Sequence, residues 1–512
     1  MDKIFDTDKR IRLGIWGLGR GQSFINSAKW LNLDVVAGCD INAEMRKGFH
    51  KNVPDAFVSA DEDEFLARDF DAVLVATYLP DHTEHAIKAL RAGKHVMCEV
   101  TAFMTPADGV RLVEAVEASG KIYHLLENCP FSKANMYLKK LWDEGFFGDF
   151  IYGEYEYVHC VRHLSYAYNF RVDGKHLLIE PGWVVHNWRA ALNIHYYNTH
   201  SLGPLMHITG LRPVAVEAFP NAVLMPGTLA AEGCKTSNAA SLIRMSNGGV
   251  MRNLMGGMTM DNHAGGRLWG TRAGADKMDD NRLRICIGAD GSGLKTWVDP
   301  EWPAIGRFAE TAGHGGADFW ELYYFAREIL TGEKGSWDVY AASDVTLAGI
   351  LAARSARQGG APQTIPDFRD KHQRDAYRDD HDEGARRFDP GAVFPADADK
   401  SLVGEFNAVM VELYRNDGAI MHVYTVLQGM RLYDRILEGF DRLHIVTEAI
   451  RLKKRLPEIK NLCEKARRMA DAYPDSVGGR TLAYGLDQAP LDAIMEPDKT
   501  IARIDAWLDK LK

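Results

Sequence analysis

Apolar residues alternate and then run together over 11–16 (IRLGIW), the pattern of a buried strand, and glycines follow at 17, 19 and 21. Residues 22–31 read as a helix, and 34–38 as a second strand. The alternation continues with helical patterns at 43–51, from 61, at 81–92 and at 106–119, between strands at 72–77, 95–99 and 122–126. Gly93 and Gly120 close two of these helices. Repeated strand–helix units predict an α/β domain, a doubly wound parallel sheet of the Rossmann kind with its ligand at the strand carboxyl ends.

Beyond Phe131 the period changes. A helix over 131–143 leads to strand-like runs at 150–161, 212–219, 240–245, 250–255 and 282–288, without regular helices between them. That is the signature of an α+β domain built on an open, mostly antiparallel sheet. A polar, aromatic, histidine-rich insertion fills 163–207, and loops of that length in compact domains are usually functional. Helical patterns at 319–330 and 339–358 are expected to return to the first domain. A dense mixture of charges follows at 369–389, and from 402 strand signals vanish. Apolar side chains then fall at helical spacing over 402–414, 421–440, 443–455, 459–473 and 501–511. We therefore divide the chain into a dinucleotide-binding domain (1–130), a substrate-binding open-sheet domain (131–368), a charged linker (369–400) and an all-helical extension (401–512). The extension holds no catalytic cluster and is expected to pack on the body or on a neighbouring subunit of a homo-oligomer.

Composition narrows the partners. Hydrophobic residues make up 46% and charged residues 26% of the 512, as in ordinary globular proteins. A net charge of −9 argues against nucleic acid or an anionic membrane as the main partner. The seven cysteines form no CxxC pair and read as free thiols in a reducing compartment. With no apolar signal core at the start and no run long enough to span a bilayer, a cytoplasmic location is expected.

The strand–glycine–helix junction carries the first chemistry. Glycines let the backbone approach a pyrophosphate, and free amides at a helix start meet its charge. Asp40 ends the second strand, where a carboxylate can hold a ribose 2′-hydroxyl, and no arginine follows it directly to accept a 2′-phosphate. NAD is the expected cofactor, although Gln22 stands where GxGxxG would have its third glycine. Gly17, Gly19, Arg20, Gly21 and Asp40 are expected to hold it, together with Leu79, Asp81, His82, Glu99, Val100 and Asn128, which all follow strand ends and should line one crevice. As alternatives, Asp40 and Glu99 could merely cap helices, and Arg20 could be solvated.

The segment 92–96 (AGKHV), the preceding His82 and the carboxylate Glu99 resemble the Gfo/Idh/MocA oxidoreductases, and the likeness covers 11–368. Sugar dehydrogenases of that family end the strand in Glu-Lys-Pro, whose lysine helps to deprotonate the substrate. Here the residues are Glu99, Val100 and Thr101, and valine carries no proton. Other segments resemble glycoside hydrolase family 109: Leu126-Glu127-Asn128, Trp188-Arg189, Tyr197-Asn198-Thr199-His200 before Leu202-Gly203-Pro204, and His314-Gly315-Gly316-Ala317-Asp318-Phe319. That resemblance implies NAD-dependent glycoside hydrolysis by transient oxidation at C3, elimination across C1–C2, water addition and re-reduction. It implies proton transfer by Tyr197 and His200, with Tyr157, Trp188, Arg189, Thr199 and His314 on the sugar. Asn198 and Thr101 replace family prolines, and 261–269 (DNHAGGRLW) lacks a sugar-binding tyrosine, so mechanism transfers better than substrate. Tyr152, Tyr155 and Tyr157 could equally form one face of a strand. The histidines at 159, 163, 186, 195, 207 and 314 show no metal-ligand spacing, and no metal is expected. A sugar or polyol dehydrogenase is the alternative activity, and a non-catalytic nucleotide-binding scaffold a third.

Overall fold

The computed structural model describes residues 4–159, 162–167, 171–172, 175–176, 192–221, 223–229, 238–257, 262–288, 293–382, 393–414, 418–433 and 442–511. The first domain is a parallel sheet of β1 (Ile11–Trp16), β2 (Leu33–Cys39), β3 (Phe57–Ser59), β4 (Ala72–Val75), β5 (His95–Glu99) and β6 (Tyr123–Leu126), in the order β3-β2-β1-β4-β5-β6. The order reverses between β1 and β4, the switch point at which such sheets open a crevice beyond their carboxyl ends. Continuous apolar runs such as Ala72–Val75, buried throughout, suit strands covered on both faces.

The helix expected over 22–31 is instead a 3-10 turn, Arg20–Phe24, and a single α-turn, Ile25–Ala28. Asn26 and Ser27 are weak helix formers whose side chains compete for backbone bonds.

The second domain is a sheet of nine strands among the described residues. β7 (Phe150–Val158) lies at its centre, antiparallel to Gly266–Gly270 on one side and parallel to Val250–Gly256 on the other. The sheet is therefore mixed, because alternation fixes the face a residue takes and is blind to strand direction. Besides the two-residue edge strand Gln363–Thr364, three short strands were not expected: Gly266–Gly270, Ala273–Lys277 and Leu294–Val298. Each has five residues and no sustained apolar alternation. One face is open to solvent, as the strictly alternating burial of Asn238–Met245 shows. Helix Thr199–Thr209, inside the insertion, covers the other. Its Gly203 and Pro204 hid it from a reading by propensity.

The charged stretch after residue 368 is fastened to the body. Arg374 pairs with Glu117, Arg378 with Glu114, and Asp380 and Asp382 with Arg354. The helical extension has its own core, with Phe406, Met410, Leu452, Leu456, Leu482 and Trp507 at its centre, and it draws in Tyr166 and Leu229 from the body. Two helices were expected on either side of Pro457, but one helix, Arg442–Ala472, runs through it. Val477–Asp487 was not expected as a helix.

Candidate active site

Each glycine of the first loop has a separate physical duty. Gly17 has φ +94° and a Cβ there would meet the Ala76 carbonyl oxygen at 2.2 Å. Gly19 faces open space, with nothing within 4 Å of the same position, so a ligand backbone can come close. At Gly21 a Cβ would stand 2.5 Å from Ile15 Cγ2, so this glycine supplies the close helix–strand packing that the spacing denied to Gln22. Gln22 instead ties the loop by donating to the Leu18 carbonyl at 2.6 Å. Asp40 accepts from Leu18 N at 2.7 Å and Asn42 N at 2.8 Å, which joins the end of β2 to the loop. Arg46 turns its Nη1 to the carbonyls of Asp40 and Ile41. These residues fit a dinucleotide with a free ribose hydroxyl.

At the next strand ends, Leu79 is buried in the turn that contains Asp81, and Val100 is buried after β5. His82 lies 3.1 Å from the Thr101 carbonyl and 3.3 Å from that of Thr77. Burial pushes its pKa down to about 4, so it is neutral and can donate to only one of them. It braces the crevice floor from behind. Asn128 opens the turn Cys129–Phe131 and accepts from the Cys129 thiol at 3.2 Å.

Arg20 is a bridge between elements. Its Nε donates to Glu99 at 2.8 Å, and its Nη1 and Nη2 form a two-bond fork with Asp318 at 2.7 and 2.8 Å. His314 adds a 2.8 Å contact from Nδ1 to Asp318. Burial raises Asp318, but Arg20 and His314 outweigh that and hold it down at about 2, whereas burial pushes Glu99 up in spite of Arg20. One turn further along helix Ala317–Thr331, Glu321 is buried and neither carboxyl oxygen has a hydrogen-bond partner among the described residues. Burial, with Asp318 and Glu99 nearby, pushes it well above the usual carboxylate range. His314 also borders a cavity of about 430 Å³ lined by Ser132, Lys133, Asp280, Asn281 and Asp299.

A second cluster gathers on His200. Glu127, fully buried at the end of β6, holds His200 Nδ1 at 2.8 and 3.0 Å from its two oxygens. The rings of Tyr157 and Tyr197 pack against the imidazole at 4.7 and 4.8 Å between centroids. Burial alone would lower the His200 pKa, but Glu127 and Cys129 reverse this and keep the ring protonated well above its ordinary range. Cys129 completes a trio whose ligand-capable atoms lie within 4.8 Å of one another. The 2.8 Å N–O separation is a hydrogen bond, shorter than the roughly 3.3 Å that two ligands keep across a tetrahedral ion. Thr199 is buried beside this pair. Tyr155 and Tyr157 share the covered face of β7 while Tyr152 takes the other, so the three tyrosines do not form one face. Trp188 and Arg189 lie outside the described residues. Glu127, Cys129, Asp318 and Glu321 had no assigned role in the sequence reading. For Glu127 the signal was a carboxylate closing a strand, as Glu99 does.

A family profile for the oxidoreductase family with an NAD-binding Rossmann fold matches residues 11–126, and one for the glycosyl hydrolase 109 C-terminal domain matches residues 291–374. A glycosyl hydrolase family 109 protein of Saccharopolyspora erythraea is 28% identical over 408 residues, 72% of this chain and 85% of that protein. Another from Shewanella putrefaciens is 26% identical over 399 residues, 70% of this chain and 85% of that one. A solved levoglucosan dehydrogenase in complex with NADH and levoglucosan shares the fold, with a TM-score of 0.58 and 17% identity over 70% of this chain and 100% of that one. No helix among the described residues is long and apolar enough to cross a membrane. This chain is an NAD-binding enzyme that joins a Rossmann domain of the Gfo/Idh/MocA oxidoreductase family to a glycosyl hydrolase 109 C-terminal domain.

Proposed function

We propose that this enzyme hydrolyses glycosides by temporary oxidation of the sugar. The observation that supports this reading is the Glu127–His200 pair, which can hold a proton at the end of β6, beside the end of β5 where Val100 offers none. When bound, NAD supplies a reversible hydride acceptor, so that the C3 alcohol becomes a ketone and is later restored. The ketone acidifies the hydrogen at C2, and loss of that proton expels the C1 substituent. His200, kept as imidazolium, donates to the departing oxygen, and its neutral form then takes a proton from the water that adds at C1. Glu127 fixes the ring orientation and its charge. Tyr197 packs edge-on against His200 and shares in proton transfer, and Tyr157 presents its ring to the sugar from β7. No opposed carboxylate pair is needed.

The test is a panel of aryl glycosides incubated with trace NAD+. Release of the aryl group over many turnovers, with no net NADH, is expected, and a chelator should leave the rate unchanged. The fold shared with a sugar dehydrogenase favours a second reading, in which NADH is released. One equivalent of NADH with the glycosidic bond intact would establish that reading instead.

A further inference from the structure

His200 is an acid at neutral pH, and the proposed elimination also needs a base. Lys277 ends the strand Ala273–Lys277 on its buried face, in line with Ala273 and Ala275. It pairs across the ladder with Gly266, which in turn pairs with Tyr155 on β7. Two residues on, Tyr157 leans on His200. Lys277 is 8% exposed, and its ammonium donates to the Ala264 carbonyl. Among the described residues it has no carboxylate within ion-pair distance. A buried ammonium in that setting is costly, and among the described residues two of its three donors remain unused.

The titratable groups around it are the Cys129 thiol from the Rossmann side, itself against His200 and near Glu127, and Asp279 and Asp280 on its own turn. His263, on the segment before Gly266–Gly270, is paired with Glu156 and Asp279. Burial pushes Lys277 below the usual lysine range, and Cys129, Asp279 and Asp280 only partly oppose this. Lys277 and His200 are thus displaced in opposite directions, the arrangement in which one group serves as base and the other as acid.

We propose that Lys277 is the general base of this site and removes the C2 proton of the oxidised sugar. The assignment rests on the hydrolytic reading above. The C2–H bond breaks as its proton passes to the amine, its electron pair forms the C1–C2 double bond, and the C1–O bond breaks with the His200 proton going to the leaving oxygen. Water then adds at C1 and gives its proton to His200, while the Lys277 ammonium returns a proton to C2. An ammonium carries three equivalent hydrogens, so Lys277 scrambles the C2 hydrogen with those drawn from solvent.

Lys277→Met and Lys277→Arg are compared with the wild type, using an aryl glycoside and NAD+. Arg keeps a donor for the bond to Ala264 but cannot act as a base at neutral pH, so it remains informative if the Met variant folds poorly. Both are expected to lose about 10²–10⁴-fold in kcat, with NAD+ affinity retained and the rise of rate with pH removed. Hydrolysis by the wild type with undiminished turnover in the Arg variant overturns Lys277 alone and leaves the hydrolytic reading intact. Failure of the wild type to hydrolyse any glycoside overturns that reading. Where the wild type does hydrolyse, carbon-13 NMR of the reductively methylated full chain is a second check on Lys277. The signal missing from the Met variant should titrate below the surface lysines, and titration alongside them overturns the assignment.

Discussion

At the scale of single residues, the Glu127–His200 hydrogen bond at 2.8 Å makes the sharpest predictions. Glu127→Gln keeps the shape and removes the charge. The His200 pKa should fall, and because the acid must be protonated, the alkaline limb of the pH–rate profile should move to lower pH. An unmoved limb would show that another group is the acid. His200→Ala and Tyr197→Phe should each lower turnover by about 10²–10⁴-fold with little change in NAD affinity, measured by steady-state kinetics and fluorescence titration. Asp40 already accepts two backbone amides, so Asp40→Ser should weaken NAD binding by about 1–3 kcal/mol and narrow the preference for NAD over NADP. Tighter binding of NADP than NAD by the wild type would sink this assignment. Asp40 and His200 were legible in the sequence because a motif surrounds each of them. Glu127 as a partner and Lys277 as a base were not, since each meets His200 or Cys129 only when segments distant in sequence converge.

At the scale of elements, the glycine loop separates binding from folding. Gly19→Ala adds a methyl to open space, so thermal stability should hold while NAD affinity falls. Gly17→Ala must fit a Cβ 2.2 Å from a carbonyl oxygen at φ +94°, so stability itself should drop. Equal thermal shifts in the two variants would contradict this division. Helix Ala317–Thr331 is fastened to the loop through Asp318, whose pKa falls from 3.8 to about 2 on folding. A depressed carboxyl stabilises above its unfolded pKa, and that stability is lost as pH falls from about 4 to about 2. Asp318→Asn should flatten that part of the acid-unfolding curve. Element type was readable wherever a period persisted, as in β1, β2 and β4 to β6, but not in the three-residue β3. Strand direction was not, since β7 and Val250–Gly256 alternate in the same way whether parallel or antiparallel. Short strands such as Ala273–Lys277 carry too few residues to show a period, and this one holds Lys277. Pro457 reads locally as a helix stop, but the surrounding helix packs along its length and tolerates the lost bond.

At the scale of the whole molecule there are two cores, one under the two sheets and one in the helical extension. The extension meets the body where Tyr484 donates to the Leu224 carbonyl at 2.9 Å and Tyr166 packs edge-on against Phe406 at 5.9 Å between ring centroids. Calorimetry should resolve two transitions, and NAD+ at a hundred times its Kd should stabilise only the one that includes the Rossmann sheet, by about 2.7 kcal/mol. A single transition that shifts as a whole would show that the extension folds as part of the body. The central claim, however, concerns bonds. Direct displacement at C1 leaves the C2 hydrogen untouched, and a simple dehydrogenase has no cause to exchange it. Oxidation at C3 followed by elimination breaks that bond and remakes it from an ammonium in contact with solvent protons. The decisive measurement is NMR of the sugar released from an aryl glycoside hydrolysed to completion in heavy water with catalytic NAD+. Deuterium at C2 is the predicted result, and complete retention of protium there, with hydrolysis proceeding, would contradict the account.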